Sequence, residues 1–157
     1  MLCYVMMEEL PGAFGSSGSF ALRLGQTVFS SASLFFMCLD VSFYSYTAFC
    51  FLVIVMGLVI PWSITLLVID GYTVFIQKLP IQRRLITTII SGDIVLSYLS
   101  LAAASSTEGV TNLLLESGSH CPAKLCARFQ FSAAMAFLSW FLTSASCLFN
   151  FWLVCCV

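Results

Sequence analysis

A chain of 157 residues with a formal net charge of −1, 8% charged and 61% hydrophobic side chains lacks the polar surface of a water-soluble globule, which carries about 25% charged residues. Length and a mean hydropathy of +1.04 together indicate one membrane-embedded bundle with no separate soluble domain. The near-neutral balance leaves no basic footprint for nucleic acid, so none is expected as a partner.

Residues 1–19 end in ELPGAFGSSGS, a Gly- and Ser-rich segment expected to be a flexible cytoplasmic tail. Residues 20–157 are predicted to form an all-α, antiparallel bundle of four transmembrane helices. Each of four stretches supplies the roughly 20 apolar residues that a span needs: 20–41, 46–69, 85–104 and 129–157. The first is not a signal peptide, because no basic region precedes it and its apolar run is too long. The short turn after Val41 makes the first two spans an antiparallel hairpin, and Pro61 is expected to kink the second. The segment from Asp70 to Arg84 carries Lys78, Arg83 and Arg84. The expected outer loop, 105–128, contains VTNLLL as a short interfacial helix, with Glu108 and Glu116 balancing Lys124 and Arg128. The fourth stretch exceeds the bilayer's need and should tilt or emerge. Basic residues collect on the cytoplasmic side, so both termini are expected in the cytoplasm.

Arg23 and Asp93 are charges inside apolar stretches. An ionised side chain at a helix centre costs on the order of 3 kcal/mol even on the lenient insertion scale. From a span that enters from the cytoplasm, Arg23 can snorkel to water, or it can pair with Asp93. Counted from the span starts, Asp93 lies deeper by about five residues, roughly 8 Å, a gap that an extended Arg and helix stagger can close. The other readings of Asp93 are a neutral carboxyl, a hydroxyl partner such as Ser91 or Ser97, and an ion or proton site.

Small residues crowd the third span (Ser91, Gly92, Ser97, Ser100, Ala102 to Ser106) and the fourth (Ser132, Ala133, Ala134, Ala136, Ser139, Ser144, Ala145, Ser146). In lipid such faces let backbones approach, within one bundle or between copies. Asn150 can donate across an interface. Cys121 and Cys126 fall on the oxidising side of this topology, where a loop disulfide is expected, although Pro122 restricts the small ring. Cys155 and Cys156 at the inner edge are candidates for palmitoylation, while Cys38, Cys50 and Cys147 are ordinary buried thiols. With one histidine, His120, and neither a nucleophile elbow nor a metal-ligand set nor a phosphate-cradling loop, no enzyme, cofactor or metal site is expected.

From Met7 (MEELPGAFGSSGSFALRLGQTVFSSASLFFM) through the fourth span, the chain resembles the Casparian strip membrane protein-like family of land plants, tetraspan proteins related to the MARVEL group. The hallmark intramembrane residues of that family, an Arg in the first span and an Asp in the third, match Arg23 in ALRLGQ and Asp93 in SGDIVLSYLSLAAASS. The six residues before Met7 fall outside the match. The resemblance implies a non-enzymatic plasma-membrane tetraspan that contacts membrane lipid, forms homodimers or higher homo-oligomers, forms hetero-oligomers with related tetraspans, and scaffolds the membrane. The first outer turn, DVSFYSY, lacks the extended loop associated with the endodermal scaffold. The competing reading is a small channel, transporter or transporter subunit with Asp93 as its ion or proton site.

Overall fold

The computed structural model describes residues 17–39, 44–75, 83–116 and 123–156. Four helices occupy them: α1 (Ser17–Cys38), α2 (Thr47–Phe75), α3 (Arg83–Glu116) and α4 (Ala123–Cys156). The described residues contain three helical segments long and apolar enough to cross a membrane, Thr47–Phe75, Arg84–Glu116 and Cys126–Trp152.

Buried positions recur at alternating steps of three and four residues. In α1 they are Ser19, Arg23, Gln26, Ser30, Ser33 and Met37. In α2 they include Leu52, Met56, Val59, Ser63, Leu66, Asp70 and Thr73. In α4 the series Ser132, Ala136, Ser139, Thr143, Ser146 and Asn150 is buried in the same rhythm. This is the seven-residue repeat that keeps one seam of each helix toward its neighbours in a four-helix bundle. The helix order around the bundle follows the chain: α1 packs on α2 and α4, and α3 packs on α2 and α4. Helices α1 and α3 therefore face each other across a diagonal.

The seam of α1 reverses the pattern of a soluble helix. Five of its six buried residues are polar, while Leu24, Val28 and Phe35 face outward. Average hydropathy therefore understates how apolar the outer surface of α1 is.

The two ends of the core differ. Toward the α1–α2 turn it is apolar, built from Met37, Phe49, Leu52, Met56, Val59, Ala103, Ala104, Phe129 and Ala136, with the Phe49 and Phe129 rings 4.5 Å apart. Toward the start of α1 it becomes polar.

Several boundaries differ from the expected ones. Residues 105–116, expected as loop, continue α3, and α4 begins at Ala123. The segment is polar but holds no proline, Gly109 is its one glycine, and buried Thr111 donates to the Thr107 carbonyl (2.8 Å). Helix α2 likewise runs on to Phe75 and takes Asp70 into the bundle. It also continues through Pro61, where Thr65 donates to the Pro61 carbonyl (2.8 Å).

Candidate functional site

The polar end of the core centres on Asp93, which α3 points across the bundle. Arg23 Nη1 donates to Asp93 Oδ1 at 2.8 Å, and Nη2 donates to Oδ2. Both side chains are completely buried. The planar guanidinium fork matches the two carboxylate oxygens, so the structure brings these two sequence-selected residues together as a bidentate pair spanning the diagonal. A third donor comes from α2: Trp62 Nε1 donates to Asp93 Oδ1 at 3.0 Å. One carboxylate thus joins three helices.

Local sequence makes this convergence possible. Gly92 lies beneath the indole, and a Cβ there would come within 2.7 Å of Trp62 Cη2. Gln26, one turn along α1, accepts from Arg23 Nη1 at 3.4 Å. Arg23 Nε and Gln26 Nε2 have no hydrogen-bond partner among the described residues.

A second buried carboxylate lies toward the start of α1. Ser19 Oγ donates to Asp70 Oδ2 at 2.6 Å, and both residues are fully buried. Sequence reading assigned Asp70 to a loop. The signal that finds it is the three-and-four spacing from Ser63 through Leu66 to Asp70.

Serine pairs join α4 to its two neighbours. Ser30 and Ser139 hydroxyls lie 2.7 Å apart. Ser33 donates to the Ser132 carbonyl at 2.9 Å, and Ser132 donates back to the Ser33 carbonyl at 2.7 Å. Ser97 and Ser144 bridge α3 to α4 at 2.9 Å. Most of the small residues of α4 are therefore spent inside the bundle.

The other selected residues lie apart from this centre. Cys126 is buried and disulfide-bonded, whereas Cys121 lies outside the described residues. Cys155 is exposed and unbridged, and the side chain of Cys156 lies outside the described set. Cys38 is exposed, while Cys50 and Cys147 are half-buried. Among the described residues no group of three His, Cys, Asp or Glu side chains is placed to hold a metal ion.

Comparison with known proteins matches residues 12–142 to the Casparian strip membrane protein domain. CASP-like protein 5C2 of Arabidopsis thaliana is 52% identical over 147 residues, covering 93% of this chain and 96% of the relative. CASP-like protein 5C1 of Oryza sativa subsp. japonica is 58% identical over 144 residues, 91% of this chain and 92% of the relative. CASP-like protein 5B1 of Ginkgo biloba is 45% identical over 149 residues, 95% and 84% of the two chains. No solved structure matches.

Proposed function

Because the chain belongs to the Casparian strip membrane protein domain family, plant tetraspan proteins without enzymatic activity, we propose that it is an oligomerising scaffold of the plasma membrane. The carrying observation is that both carboxylate oxygens of Asp93 are engaged inside the bundle. Its carboxylate takes both terminal nitrogens of Arg23 and the indole of Trp62, with no exposed surface left. A cation seeking that carboxylate has to displace a guanidinium, which favours architecture over an ion or proton site. Removing one partner of such a pair costs about 3–5 kcal/mol, whereas replacing both by apolar residues is often neutral, so the pair specifies one bundle more than it adds stability.

In this reading α1 is the fourth span. Its length of 22 residues meets the roughly 20 that a bilayer needs, Arg23, Gln26 and three serines are buried inside, and its outer surface is mostly apolar. Both termini lie in the cytoplasm. Two features support that orientation: Lys78 lies between α2 and α3 in the sequence, and Arg83 and Arg84 open α3, at the end favoured for basic residues. The disulfide-bonded Cys126 sits at the opposite end, where an oxidising compartment fits. Cys155 and Cys156 then lie at the cytoplasmic face, within reach of acylation.

Self-association would use an outer groove between α1 and α4 rather than the serines of α4, which are buried in the bundle or bonded to its other helices. Gly18, Ala21 and Gly25 line it beside Phe29, Leu142 and Phe149, and small residues of this kind let a second helix approach closely. Native mass measurement of the protein extracted with its lipid tests the reading. Oligomers that fall to monomers in Ala21→Leu are expected. A wild-type chain that is monomeric, or one that conducts ions in liposomes with a flux lost in Asp93→Asn, would overturn it.

A further inference from the structure

We propose that an outer groove between α2 and α3 holds one acidic phospholipid, its phosphate on Arg84 and its upper chains against the indole of Trp62. The proposal rests on the membrane placement of the bundle but not on its orientation or oligomeric state. The groove, of about 730 Å³, is lined by Trp62, Arg84, Thr87, Thr88, Ser91 and Gly92.

The five residues from α3 fall at successive steps of three, one, three and one, which places them in a single stripe on one helix face. Arg84, Thr87, Thr88 and Ser91 are exposed. Their neighbours on the outer surface of α3 are apolar: Leu85, Ile94, Val95 and Tyr98 are exposed as well. A guanidinium such as that of Arg84 turned toward hydrocarbon is costly unless something polar meets it. Thr88 spends its proton on the Arg84 carbonyl at 2.9 Å, and its oxygen can still accept.

The dimensions fit a lipid. Arg84 and Gly92 are eight positions apart, about 12 Å along the helix axis, which spans the roughly 5–8 Å polar region of one leaflet and reaches the upper part of the chains. The stripe changes in the same order, from a guanidinium through hydroxyls to a glycine and an indole. Charge selects the headgroup. Among the described residues Arg84 makes no ion pair, and Lys78 and Arg83 lie close to it in the sequence with no intervening acid. An acidic headgroup balances that excess, whereas a zwitterionic one brings its own cation. The floor of the groove is not passive, because Trp62 also donates to Asp93 inside the bundle. One indole therefore touches both the bound lipid and the diagonal pair.

Quenching of Trp62 fluorescence tests the site. The full chain, with Trp140→Phe and Trp152→Phe leaving Trp62 as its one tryptophan, is placed in phosphatidylcholine vesicles containing one-tenth phosphatidylglycerol, with either lipid brominated on its chains. The expected result is quenching by brominated phosphatidylglycerol well above its share of the bilayer. Arg84→Gln should lower that preference about fivefold, the usual effect of one basic side chain at an anionic surface. Ser91→Leu, which fills the groove, should lower quenching by both lipids, while Lys124→Gln at the other end should change neither. Quenching by each lipid in proportion to its share of the bilayer in the parent chain, an unchanged preference in Arg84→Gln, or an equal loss in Lys124→Gln would overturn the proposal. So would a Ser91→Leu variant that keeps its lipid preference but no longer self-associates, since the groove would then be a protein contact.

Discussion

Trp62 reaches the buried carboxylate of Asp93 across a residue that has no side chain. Its indole nitrogen lies 3.0 Å from Asp93 Oδ1, and a Cβ on Gly92 would come within 2.7 Å of the ring. The glycine is therefore part of the site although it carries no chemistry. Gly92→Ala should push the indole off the carboxylate and cost about 1.5–3 kcal/mol, the worth of a hydrogen bond to a charged group. Trp62→Phe should cost a similar amount without the overlap. Unfolding in detergent measures both, and Gly92→Ala combined with Trp62→Phe should be less than additive, because the two changes remove the same bond.

The buried hydroxyls separate into two groups. Ser30 and Ser139 bond to each other, and Ser33 and Ser132 bond reciprocally. Ser63 and Ser146 are equally buried but have no hydrogen-bond partner among the described residues. Ser132→Ala should destabilise by roughly 0.6 kcal/mol, the average for such bonds in a membrane bundle. Ser63→Ala and Ser146→Ala should be neutral or slightly stabilising, because each removes an unmatched polar group from the interior. The same unfolding measurement ranks all three.

Much of this was legible in the sequence, and what escaped has a physical reason. Apolar runs of span length gave the helices α2, α3 and α4, and opposite charges in hydrocarbon singled out Arg23 and Asp93. Polarity misled at the helix ends. Ser105, Ser106 and Thr107 suggested a loop, yet a threonine or serine can satisfy its hydroxyl on the preceding turn and leave the helix intact. Asp70 reads as the start of a loop because it is charged and ends an apolar run, and only its spacing from Ser63 and Leu66 marks it as interior. The diagonal relation of α1 to α3 could not be read from a list of spans, because it depends on the order of helices around the bundle. Trp62 carried no signal of its own, since an indole in a span is ordinarily a packing residue.

Orientation is open to a chemical test. Cys155 is exposed and unbridged at the end of α4. In a chain with cytoplasmic termini it should react with a membrane-impermeant maleimide only after permeabilisation. The measurement uses a variant with Cys3, Cys38, Cys50, Cys147 and Cys156 each changed to Ser, so that Cys155 is the one thiol left besides Cys121 and the disulfide-bonded Cys126. Labelling of intact cells at Cys155 would reverse the topology.

The central claim is that Arg23 and Asp93 act as one structural unit across the bundle. The most direct measurement is a double-mutant cycle, Arg23→Met, Asp93→Leu and both together, read as unfolding free energy in lipid-containing detergent. Each single change strands a buried charge and should cost about 3–5 kcal/mol. The double variant strands neither, so it should be more stable than either single one. Costs that simply add, with the double variant the least stable of the three, would contradict the account.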